Sequence, residues 1–173
     1  IKDLVSKSGV TTRNVAVGLP SNRIFTTVVD IERLSGSELG KTIRYQADTL
    51  IPTPLDESKV DWALLGDSPV DTNKLEVLLS SVPNEYIEQK LDLLEGIGLN
   101  VIAFEPDALA IARALIGNGQ TTPQMVLDMG ILATDIVIAV NGGPRLTRSI
   151  PTGSDAILKA ASQNLNVDEK QAE

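Results

Sequence analysis

The sequence predicts an α+β fold, and three observations carry that prediction. Runs rich in β-branched residues recur between turn residues, as at 24–31 and 135–140. Apolar stripes at helical spacing alternate with them, such as Leu39, Ile43, Ala47 and Leu50. Asn141-Gly142-Gly143 sits between two strand-like runs and supplies a hairpin turn.

Taken in order, residues 14–19 (Asn-Val-Ala-Val-Gly-Leu) read as a strand ended by Pro20-Ser21-Asn22, and 24–31 as a second. Ser35 and Glu38 stand at capping-box spacing, so a helix starts there. Its stripe is the Leu39 to Leu50 series; Lys41, Arg44 and Asp48 fall away from it, and Pro52 and Pro54 stop it. Residues 60–65 and 74–81 read as strands around the turn-rich Gly66-Asp67-Ser68-Pro69. Trp62, the only tryptophan, falls in the first of these, where it serves either core packing or, if half exposed, an interface. Pro83-Asn84 opens a second helix with Ile87, Leu91 and Leu94 inward and Gly96 and Gly98 at its end. Residues 100–104 form a short strand, and Asp107 is placed to cap a helix through Leu115.

Segment 117–123 is polar and free of hydrophobic pattern, which divides the chain into 1–116, a linker 117–123, and 124–173. Strands follow near 124–127, 135–140 and 144–150. A last helix is capped by Ser154 or Asp155, with Ile157, Leu158, Ala161 and Leu165 on one face.

Composition narrows the chemistry. Among 173 residues, 15 Lys+Arg stand against 23 Asp+Glu, for a net charge of −8, and aromatics are 3%. Without clustered cations or stacking platforms, nucleic acid is not the expected partner. There is no Cys and no His, which removes disulfides, thiolate nucleophiles, the usual zinc sites and every His-based triad. Absence of Cys suits the cytoplasm. No apolar run reaches membrane-spanning length.

Residues 128–135, Asp-Met-Gly-Ile-Leu-Ala-Thr-Asp, are the most informative stretch. They join two apolar runs through a tight turn at Gly130, with a carboxylate at each end. Free amides in such a turn cradle phosphate oxygens. Asp128 is then placed to hold a hydrated Mg²⁺. Thr134 and Asp135 are placed to meet phosphate or water, and Gly153 precedes a helix N-terminus that suits an anion. The same residues also read as a plain hairpin with solvated acidic ends and ordinary helix capping.

The order and spacing of several stretches resemble the PilM family of type IV pilus assembly, and more distantly the cell-division protein FtsA. Residues 14–20 resemble the opening of that family's inserted subdomain, and 34–52 its long helix, which 54–57 continue. Residues 98–110 resemble the return into an actin-like body. Asp128-Met129-Gly130 with Thr134-Asp135 resembles the second phosphate loop, and 148–153 the strand end and turn after it. The resemblance implies an inserted subdomain within 1–116 and, from 124 to 173, the start of a second lobe of an actin-like, ribonuclease H-like ATPase.

It further implies ATP and Mg²⁺ as ligands of the whole protein, held in part by Asp128, Gly130, Thr134, Asp135 and Gly153. The implied role is a cytoplasmic scaffold, peripheral at the inner membrane, that binds the N-terminal tail of a PilN-like protein. Other pilus assembly proteins are further implied partners, and self-association is compatible with the resemblance. The groove for the tail is expected between the helix at 35–51 and its neighbouring strands. An FtsA-like ATPase of cell division is the alternative.

The family's first phosphate loop has no counterpart before Ile1, and Ala172-Glu173 resembles the start of the helix that reaches ribose and adenine. Ile131 and Ala133 replace small or hydroxyl residues. A piece of a longer protein is therefore expected, with half a nucleotide site and neither tight ATP binding nor catalysis.

Overall fold

The computed structural model describes residues 1–117 and 119–172. Asn118 of the expected linker and Glu173 of the expected Ala172-Glu173 helix start lie outside the described residues.

The first helix, α1 (Lys2–Lys7), buries nothing and has no sequence signal, being too short for a periodic stripe. Strand β1 (Asn14–Leu19) leads through a 3-10 turn at Ser21–Arg23 into β2 (Phe25–Glu32). Helix α2 (Gly36–Leu50) starts where the capping-box spacing predicts, but by a different contact. The Ser35 hydroxyl donates to the Glu38 carboxylate at 2.9 Å, and the Glu38 amide donates to the Ser35 carbonyl at 2.9 Å. Ile51, extended before Pro52, ends the helix.

Strand β3 (Ser58–Asp67), β4 (Lys74–Pro83) and β2 form an antiparallel sheet in the order β2-β4-β3. Leu39, Ile43 and Ala47 of α2 pack on it with Ile31, Val77 and Leu79. Leu50, expected in that stripe, is 40% exposed, and Ile51 is buried in its place. Residues 77, 79 and 81 of β4 share one face and 76, 78 and 82 the other. Both faces are buried, because each is covered by a different part of the chain.

Helix α3 (Asn84–Glu95) follows directly and seats Ile87 against Leu19 and Val82. Strand β5 (Asn100–Pro106) returns to pair parallel with β1, with a register shift between Val15 and Ala16. Helix α4 (Asp107–Leu115) then begins at once. Pro106 is its N-cap, so Asp107 is the first helical residue and not the cap.

Strands β6 (Gln124–Met129), β7 (Thr134–Val140) and β8 (Gly143–Ile150) form an antiparallel sheet in that order. Asn141 (φ 54°) and Gly142 (φ 75°) make the β7–β8 turn, both in the left-handed region that a two-residue hairpin requires. Helix α5 (Ser154–Leu165) and α6 (Glu169–Ala172) complete the chain. Gly153, not Ser154 or Asp155, is the N-cap of α5. The predicted apolar face of α5 is covered only in part: Leu158 and Ala161 are half-buried, whereas Ile157 is 52% and Leu165 67% exposed.

The core crosses segment 117–123. Ala108 and Ala112 of α4 are buried with Val137 of β7, and Ile116 and Val126 close around them. On the second face of β4, Glu76 meets Arg145 of β8 with Oε2 and Nη1 2.6 Å apart. Their side chains are only 10% and 16% exposed.

Candidate functional site

The expected phosphate loop is the β6–β7 turn. Register places Asp128 directly opposite Asp135, and Met129 opposite Thr134. Alternation along β6 puts Val126 and Asp128 on the half-buried face that meets α4, while Met125, Leu127 and Met129 point outward.

A third carboxylate joins from elsewhere. Asp107, at the start of α4, lies over Gly18 of β1, where any Cβ would overlap its Oδ1. Burial raises the Asp107 carboxyl above its ordinary value, and the charges of Asp135 and then Asp128 raise it further. Asp135 Oδ1 is buried and has no hydrogen-bond partner among the described residues. Neither Asp107 nor Gly18 was an expected site residue. The available signal was the Glu105-Pro106-Asp107 step from strand into helix. Glu105 itself is paired with Arg113 of α4, whose Nε donates to Oε1 at 3.1 Å.

The remaining expected residues chiefly shape the loop. The Gly130 amide donates to the Ala133 carbonyl at 2.9 Å. The Thr134 hydroxyl donates to the Thr152 carbonyl at 2.7 Å. The Ser154 and Asp155 amides, at the N-terminus of α5, donate to the carbonyls of Gly130 (2.9 Å) and Ile131 (3.1 Å). Those helix amides are therefore already used, which removes them from the expected anion site. Gly153 makes the contact possible, because a Cβ there would overlap the Gly130 and Ile131 carbonyl oxygens. The amides of Ile131, Leu132 and Ala133 donate to no protein acceptor among the described residues.

A second feature is a groove of 470 Å³ between the β2-β4-β3 sheet and the β5–α4 corner. Its floor includes Leu78, Val82, Ile87 and Leu109. Strands β3 and β5, each at the end of its sheet, run along it. Trp62, 42% exposed, pairs with Leu79 in the β3–β4 ladder, so its side chain lies on the α2 face with Val60, and only the strand at this position borders the groove. A smaller groove of 350 Å³ lies on the opposite side of β3, against α2.

Comparison with known proteins fits this architecture. The family described as type IV pilus assembly protein PilM matches residues 1–173. A chain of a solved PilM-PilN type IV pilus biogenesis complex superposes with a TM-score of 0.80 at 20% identity. The match covers 99% of this chain and 52% of that one, so the chain spans about half the length of its relative. The cytoplasmic domain of EpsL, an inner membrane component of the type II secretion system of Vibrio cholerae, matches with a TM-score of 0.59 at 16% identity. That match covers 97% of this chain and 61% of the domain. The α+β, actin-like fold class expected from the sequence is the one observed. No helix among the described residues is long and apolar enough to cross a membrane. The family match, running from first residue to last, settles the choice between the pilus and cell-division readings: the chain belongs to the PilM family of type IV pilus assembly proteins.

Proposed function

We propose that this chain is a docking module on the cytoplasmic side of type IV pilus assembly, taking the N-terminal tail of a PilN-like inner-membrane protein. One observation carries the reading: two strand edges, β3 and β5, with no further strand on them among the described residues, border the 470 Å³ apolar groove. An extended segment laid there gains main-chain hydrogen bonds from an edge and sends alternate side chains to the apolar floor. The likeness to a chain of a PilM-PilN complex supports a partner of this kind. The tail seat is thus assigned to the face of β3 opposite α2, not to the α2 side that the sequence suggested.

Calorimetric titration of a PilN-type tail peptide tests the assignment. Ala103 is exposed on β5 and lines the groove, so Ala103→Arg fills it without disturbing the core. Affinity is expected to fall at least tenfold. Equal binding to Ala103→Arg would remove the tail from this groove.

The acidic loop supports a second reading, nucleotide binding by the whole protein. Among the described residues no three acidic or other ligating side chains converge to hold a bare metal ion. A hydrated Mg²⁺ held between phosphate and carboxylates has no such requirement. The residues fit that arrangement: Asp128 and Asp135, with Asp107 behind them, would hold the hydrated ion. The amides of Ile131, Leu132 and Ala133 would receive phosphate oxygens. The ion would supply charge neutralisation for the phosphates. Parallel titration of Mg-ATP into the chain and into Asp128→Ala tests this reading. For the chain alone, weak binding and no turnover are expected, and turnover abolished by Asp128→Ala would refute that expectation.

A further inference from the structure

We infer that the groove on the α2 side of β3 is a second docking site, which receives an extended partner segment carrying apolar side chains and a carboxylate. It goes beyond the tail groove and lies on the other face of the same strand. The groove measures 350 Å³ and is walled by Gly40, Arg44, Val60 and Trp62.

Three features agree on this occupant. Gly40 stands inside α2, where glycine costs about 1 kcal/mol relative to alanine. A Cβ on Gly40 would meet nothing within 4 Å. The chain's own packing therefore has no need of glycine here, and the missing side chain leaves the groove open. The strand wall is apolar and accessible, with Val60 36%, Trp62 42% and Leu64 51% exposed at alternate positions. Strand β3 ends its sheet, so its outer edge offers main-chain groups to an added strand whose alternate side chains enter this face.

Charge selects the chemistry of the partner. Arg44 is the one charged residue lining the groove. With Lys41 nearly one turn earlier, it makes no ion pair among the described residues, although the chain carries a net charge of −8. A carboxylate on the incoming segment is the complement of this rim.

A displayed library of random heptapeptides, selected in parallel on the wild-type chain and on Gly40→Leu, tests the inference. Gly40→Leu fills the groove while removing a helix-interior glycine, so loss of binding does not come from loss of folding. Peptides enriched only on the wild type are expected to alternate apolar residues and to contain Asp or Glu. They should shift Trp62 emission and bind Arg44→Gln at least tenfold more weakly. Absence of Gly40-dependent enrichment, or enrichment of basic peptides, overturns the site. A PilN-type tail blocked by Gly40→Leu but not by Ala103→Arg would also overturn it as a second site, and would move the tail here. A tail blocked by neither variant would sink the tail groove alone.

Discussion

Replacing Arg145 by Met removes one partner of the Glu76–Arg145 pair and leaves a carboxylate that is 90% buried without its cation. At 2.6 Å the gross attraction is about 6 kcal/mol at an effective dielectric of roughly 20. Desolvation of both ions offsets most of that, so the pair itself adds little net stability. Breaking it is a different matter. The stranded carboxylate costs about 3–5 kcal/mol, a large share of the roughly 5–15 kcal/mol that holds a domain folded. Glu76→Met with Arg145→Met removes both charges and should recover most of the loss. The coupling energy from the double-mutant cycle should reach about 3 kcal/mol. Urea melts of the four proteins, with matched slopes to confirm that the unfolded states are comparable, provide the values. If Arg145→Met costs under about 1 kcal/mol and the two changes simply add, the contact is solvated and the reasoning fails.

Three further outcomes follow from the loop. Asp107 has a raised carboxyl in the folded state, so folding takes up a proton between the ordinary and the raised value, and stability should fall as pH rises through that window. Asp107→Asn should flatten that segment of a urea-midpoint profile against pH and raise stability near neutrality. Gly153→Ala forces a methyl into the Gly130 and Ile131 carbonyls; a loss of about 1–3 kcal/mol is expected, with amide shifts concentrated at residues 130–133 in a two-dimensional NMR spectrum. Thr134→Val removes the bond to the Thr152 carbonyl and should cost about 1 kcal/mol in a thermal melt, without changing peptide affinity at the tail groove.

The legible parts of the sequence were those governed by local chemistry. Pro52 and Pro54 end α2 because the residue before a proline leaves the helical region, and Asn141-Gly142 makes its turn because both positions need positive φ. Asp128 and Asp135 were visible because their spacing around Gly130 fits a short hairpin, and they do face each other. Asp107 and Gly18 were not visible, since the β1–β5 pairing that unites them joins segments 86 residues apart at Asn14 and Asn100. Gly153 shows another limit. A glycine before a helix reads equally as a ligand seat or as a close backbone contact, and only the position of Gly130 and Ile131 decides for contact. Periodicity placed Ile157 and Leu165 on one face of α5 correctly, yet it carries no information about what covers that face.

The parallel β1–β5 ladder also orders events in time. Within the unit from β2 to α3 the longest pairing, β2 with β4, joins residues 42 to 56 apart, whereas β1 must wait for a strand that follows it by more than eighty residues. Closing so long a loop is entropically costly until the intervening unit has collapsed and brought its ends together. The α2-bearing sheet should therefore act as a splint for its host. In pulse-labelled hydrogen exchange, amides of β2 and β4 should gain protection before those of β1 and β5. The acidic site, which needs Gly18 beside Asp107, would then be the last part of the molecule to assemble.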